Sequence, residues 1–210
     1  MITIEDISNN DYVHSFIFSF QQMIRNDFDV FLLLTGLYEN VFELQNNKSL
    51  TFFLKAPKLT LQPLNIYDIA FSYEKLLNVD QTTAIKLSKL SKGYAYGYQL
   101  LDSLVYQNGA SSNFMKDYDI ALFKNSYYLS WEQLTAKEKE FLIAMSETKT
   151  QKELLKSLNI SNGQLQVYKR RLIDKGLIVS LSRGNIDYAL PRFKQFVLFE
   201  KQLADTDVDS

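Results

Sequence analysis

The chain has no cysteine, so disulfides, thiolate nucleophiles and cysteine-based zinc sites are excluded. It has one histidine, His14, which rules out a multi-histidine metal site and argues against a histidine-centred triad. His14 falls among Val13, Phe16 and Ile17, where an ordinary helix histidine is the expectation. Only seven glycines occur, and none is followed by lysine, so the Gly-Lys step of a phosphate-binding loop is missing. Apolar runs stop far short of the ~18 residues a membrane span requires, and no charged-then-apolar leader follows Met1. The expectation is a cytoplasmic protein with no membrane partner.

What is present is the composition of an ordinary globular chain, 46% hydrophobic and 22% charged, with a net charge of −1 over 210 residues. That length holds one large domain or two to three small ones. Residues 1–64 alternate short β-runs with helices. "ITI" (2–4) is β-branched; Asn10 or Asp11 caps a helix whose Val13, Phe16, Ile17, Phe20, Met23 and Ile24 form one apolar stripe. "DVFLLLTG" (29–36) is expected as a buried parallel strand, "YENVFELQ" as a short helix, and "KLTLQPL" (58–64) as a third strand stopped by Pro63. Residues 65–112 read as three helices, and 113–133 as a further amphipathic helix holding the single tryptophan. The closing "ADTDVDS", within 198–210, is acidic and expected to be disordered.

The segment after Leu134 carries three capping boxes in succession: Thr135-x-x-Glu138, Thr150-x-x-Glu153 and Ser161-x-x-Gln164. In each, a hydroxyl accepts an orphan N–H of the first turn and the Glu or Gln reaches back to the cap. The second and third helices are separated only by Asn159-Ile160-Ser161, the short turn of a helix-turn-helix, with Ile160 and Leu165 as a hydrophobic staple. Gly176 stops the third helix, and "LIVSLS", "RGN" and "IDYAL" form a hairpin with Gly184-Asn185 in its turn. Three helices and a hairpin make a winged helix-turn-helix.

Charge is concentrated there. From Thr150 to Lys194 nine basic residues face three acids, an excess of six positive charges in a chain of net −1. Leu165, Tyr168 and Leu172 keep core spacing, which leaves Asn162, Gln164, Gln166, Lys169 and Arg170 for a partner, with Arg183 at the wing tip. Amides and basic groups on an exposed helix are what a major groove reads, with basic groups for phosphates. Val167 also faces outward, an apolar side chain of no help in hydrogen-bonding to base edges. A winged helix can equally be a rigid protein-docking module, and an exposed basic face can be plain solvated surface.

The opening strand ends in two acids, Glu5 and Asp6. With "VFLLLTGLYEN", "LTFFLKAPKLTLQPL" and "LSKGYAYGYQLL" in that order, the chain up to about residue 197 resembles the C-terminal two-thirds of prokaryotic AAA-type ATPases related to the archaeal and origin-recognition ATPases. The resemblance implies a partial α/β core over 1–64 with Walker B and sensor-1 strands but no Walker A, a helical lid over 65–112, and a linker helix and winged helix over 113–197. The whole is mostly helical. By the same resemblance Glu5 stands at the magnesium-binding position, Asp6 at the water-polarising one and Thr35 at sensor 1. The two acids come in the reverse of the usual order, Lys55 stands where an arginine is common, and Ala95 where a proline is.

Without a phosphate loop these residues are vestigial, and the chain alone is expected to be no enzyme. It holds no metal and no cofactor, ATP and Mg²⁺ entering only in an intact or complemented form. Three readings follow: a truncated AAA-type protein whose winged helix binds DNA; a docking or complementing subunit that completes an ATPase supplied by another chain or a missing N-terminal half; and a ligand-sensing, transcription-regulator-like protein.

Overall fold

A computed structural model describes residues 1–36, 38–110, 112–148, 150–181 and 185–208. The protein is mostly helical and divides into two compact units, Met1–Leu61 and Gln62–Ser210.

In the first unit, β1 (Ile2–Ile4) pairs in parallel with β2 (Leu32–Leu34), Ile2 opposite Leu32 and Ile4 opposite Leu34. Helix α1 (Asp11–Arg25) crosses between them. Of the two candidate caps Asn10 is used, its side chain accepting from the Val13 amide at 3.0 Å. Helix α2 (Tyr38–Asn46) and a 3-10 stretch (Lys48–Lys55), kinked at Leu50, complete the unit. Ile7, Ile17, Leu44 and Leu50 form its small core. The expected third strand is not formed. Residues 57–65 carry no regular structure, and Leu59 and Leu61 are 87% and 85% exposed. Alternating Leu-Thr-Leu buries neither face there, so nothing offsets the entropy of fixing it in a ladder.

The second unit opens with α3 (Ile66–Leu77), α4 (Gln81–Ser91) and α5 (Ala95–Asn108), capped at their starts by Asn65, Asp80 and Tyr94. The Asn65 and Asp80 side chains accept first-turn amides. Helix α6 (Met115–Leu122) runs through a π turn (Phe123–Tyr127) into α7 (Tyr128–Glu132). Then follow α8 (Ala136–Glu147), α9 (Gln151–Leu158) and α10 (Asn162–Asp174). All three capping boxes form with both reciprocal bonds. Helix α10 ends in a Schellman turn: the Leu177 amide donates to the Leu172 carbonyl at 3.0 Å and the Gly176 amide to Ile173 at 2.8 Å. Gly176 has φ +69°, which a side chain would strain. Strands β3 (Ile178–Ser180) and β4 (Ile186–Tyr188) pair antiparallel.

Helix α11 (Phe193–Val208) closes the unit, and the segment expected to be a disordered tail is helical as far as Val208. One apolar core runs from Ile69 to Val197, so the helices expected as a lid and those that follow share it. Its densest part is aromatic. Phe196, fully buried, lies 5.2–5.7 Å from the rings of Phe123, Tyr127, Tyr128, Trp131 and Phe193, mostly edge to face.

Truncating Phe196→Ala is expected to destabilise this unit by about 3–5 kcal/mol, since the ring's contacts are lost and a cavity is left among rigid neighbours. Trp131, the single tryptophan, reports unfolding of this unit by its fluorescence in a urea titration.

Candidate functional site

Two groups of residues are candidates for a functional site. The first lies at the carboxyl ends of β1 and β2. Their parallel register extends past the strands: the Thr35 amide donates to the Ile4 carbonyl at 3.0 Å and the Ile7 amide to the Thr35 carbonyl at 2.9 Å. This sets Glu5 and Asp6 on one chain beside Thr35 on the other, all three exposed. Asp6 has φ +51°, a left-handed conformation tolerated by Asp better than by most residues. A carboxylate and a hydroxyl on adjacent strand ends fit a metal and a phosphate oxygen in kind. The sequence holds no Gly-Lys step of the kind that cradles a nucleotide's phosphates. Lys55 is exposed at the end of the 3-10 stretch rather than on a strand. His14 is a helix residue, its Nε2 2.6 Å from Asn9 Oδ1. Among the described residues no group of three or more acids and histidines is placed to hold a metal.

The second group is on α10. Leu165 and Leu172 are buried and Tyr168 half-buried, with its ring 6.2 Å from that of Phe141. This anchors one side and turns the other outward. Asn162, Gln166 and Arg170 are exposed as expected, the Arg170 side chain by 83%. Its Nε is 3.9 Å from Asp174, a loose i,i+4 pair. Lys169 is half-buried at the flank of the helix, less available than its neighbour. Gln164 is partly committed: its Oε1 accepts from the Ser161 amide at 2.9 Å in the capping box. Asn162 Oδ1 accepts from Gln151 of α9 at 3.4 Å. Arg183 and Gly184 lie outside the described residues.

Sequence reading passed over Arg171, which is exposed, as are Lys152 and Lys156 on α9. The spacing held the signal for Arg171, four residues after the outward Val167. Sequence reading also overcounted free charge. Lys175, 16% exposed, sits 3.6 Å from Glu138, which is 2% exposed and already accepts from the Thr135 amide and hydroxyl. Arg192 binds Asp119 through two guanidinium nitrogens, Nε at 2.6 Å. That hydrogen bond and charge hold the guanidinium protonated above its ordinary range. Both carboxylates lie outside the Thr150–Lys194 segment. Two of its nine basic groups therefore serve the fold, and the positive charge offered to solvent falls by that much.

A cleft of about 50 Å³ between the start of α9 and β4 is lined by Thr148, Thr150, Gln151 and Asn185. Small-molecule sites occupy ~300 Å³ or more, so this cleft gives ligand sensing no support. Among the described residues no helix is long and apolar enough to cross a membrane.

Residues 124–197 match a family described as a domain of unknown function (DUF8462). The matched stretch starts inside the π turn and ends at the buried Val197 in α11, and so spans α7 to α10, the hairpin and the start of α11. No curated protein and no solved structure matches the chain.

The two classes of basic residue are separable by stability. Arg192→Gln is expected to cost about 2 kcal/mol, leaving Asp119 without its charged partner. Arg171→Gln should change stability by under about 0.5 kcal/mol, as an exposed substitution. Urea denaturation of the two variants measures both.

Proposed function

We propose that residues 136–188 form a winged helix that binds duplex DNA, with α10 lying in the major groove and the β3–β4 hairpin beside it. The observation that carries this reading is the outward face of α10, where Asn162, Gln166, Arg170 and Arg171 are exposed together while Leu165 and Leu172 anchor the opposite side. Amides read adenine edges, guanidinium groups read guanine or phosphate, and Lys152 and Lys156 on α9 add charge for the backbone. The helix is about 20 Å long at ~1.5 Å per residue, enough to span several base pairs along a groove. Its end is fixed by a capping box at one side and a Schellman turn at the other, so the face is presented on a rigid element.

A second reading concerns the first unit. The parallel β1–β2 pair, with Glu5 and Asp6 beside Thr35, supports a relation to the Walker B and sensor-1 strands of AAA-type ATP-binding proteins. In that reading the unit completes a nucleotide site only when a phosphate loop is supplied from outside this sequence, and Glu5 takes Mg²⁺ only then. The DNA reading does not depend on it.

Fluorescence anisotropy of a labelled duplex, titrated at several salt concentrations, tests the main proposal. Affinity should fall steeply with salt, with the log–log slope reduced by about 0.9 for each phosphate contact removed. The double variant Arg170→Gln/Arg171→Gln should bind at least tenfold more weakly, two contacts of ~1 kcal/mol or more being lost. Absence of salt-sensitive binding to any duplex would sink the DNA reading and leave α10 as a protein-docking face.

A further inference from the structure

Val167 and Gly163 are the two residues on the outward face of α10 that neither the core nor phosphate binding explains. Val167 is 50% exposed, with polar and basic side chains around it. A β-branched residue has no propensity advantage in a helix, and half of this one is left in water. Gly163 lies one turn earlier, four residues before Val167, on the same face. A side chain there would meet only Ser161 Oγ at 3.9 Å, and its φ is not positive. The fold therefore does not require glycine at this position, although a helical glycine costs more conformational entropy than alanine. Together the two residues make a small apolar notch bounded by Gln166 on one side and by Arg170 and Arg171 on the next turn.

We infer that this notch receives the C5-methyl group of a thymine, with Val167 as the specificity-determining contact and Gly163 clearing its approach to the floor of the groove. The inference rests on the DNA reading above. The chemistry is mutually consistent. An A·T pair presents the adenine N7 acceptor and N6 donor, which an amide reads in pairs, and beside them the thymine methyl, the one apolar feature of the major-groove edge. Gln166 and Val167, adjacent in sequence, supply the two complementary groups. A face built for phosphates alone gains nothing from valine, and a protein-docking face would call for more apolar area than one side chain.

The experiment uses the full chain and a duplex pool with a randomised centre, made once with thymidine and once with deoxyuridine, which lacks only the methyl group. Wild-type protein should select A·T-containing centres and bind the deoxyuridine pool about fourfold more weakly, the effect of one buried methyl group. Val167→Ser should bind both pools alike. Gly163→Ala should raise the melting temperature, yet lose the preference for the thymidine pool. Equal wild-type affinity for both pools, with DNA binding intact, overturns the thymine contact and leaves the DNA reading standing. Failure to bind either pool overturns the DNA reading and the contact with it. A lower melting temperature for Gly163→Ala shows that the glycine serves the fold and removes it from the notch.

Discussion

The burial of Phe196 is the constraint on which the second unit depends. Its ring is enclosed by aromatic side chains from the π turn, from α7 and from its own helix, so α11 can sit in only one place against the residues 115–132. The π turn has a role here. An added residue per turn rotates the helix face, and it allows Phe123 and Tyr127 both to reach Phe196. Tyr127 then donates its hydroxyl to the Pro191 carbonyl at 2.6 Å, and burial pushes its phenol well above the ordinary range. Immediately beyond, Arg192 is held in a left-handed conformation with its guanidinium on Asp119. The turn from β4 into α11 is thus fixed at two successive residues, Pro191 and Arg192.

From that anchor the rest of the unit is oriented. Phe193 packs on Tyr188 of β4, and the Tyr188 hydroxyl donates to the Leu142 carbonyl of α8 at 2.6 Å. Lys92, at the end of α4, donates to the Tyr188 carbonyl at 2.8 Å and pairs with Asp187 at 3.4 Å. The hairpin is therefore held from both sides, and α10, which hands the chain directly to β3 through Gly176, inherits a fixed orientation. In the DNA reading proposed above this is an advantage, since a rigid helix loses little entropy when it docks.

Much of this unit was legible because its determinants are local. A capping box needs residues three apart, a Schellman turn needs one glycine, and a helix face needs a repeat of three and four, all visible in a short window. The outward set on α10 followed from the same periodicity, save for Arg171 and for Lys169 at the flank. What was not legible depended on distant partners. The neutralisation of Lys175 and Arg192 needs Glu138 and Asp119, which no window containing the basic residues includes. "KLTLQPL" alternates like a strand, but a strand exists only with a neighbouring edge, and residues 57–65 have none among the described residues. The helical end of the chain was missed for a related reason: acidic composition argued against order, whereas the aromatic anchor at Phe193 and Phe196 nucleates α11 from its other end.

The ties that fix the hairpin also set when this unit can form. Lys92 reaches Tyr188 across 96 positions, Arg192 reaches Asp119 across 73, and Tyr127 reaches Pro191 across 64. Helices α8 to α10 have the signals to form locally as they leave the ribosome, but the contacts that lock them close loops of this length and require Pro191 and Arg192 to be present. Synthesis must therefore pass the start of α11 before the core can close, and until then Phe123, Tyr127 and Trp131 remain uncovered. The segment from Tyr188 to Val197 acts as the latch of the unit.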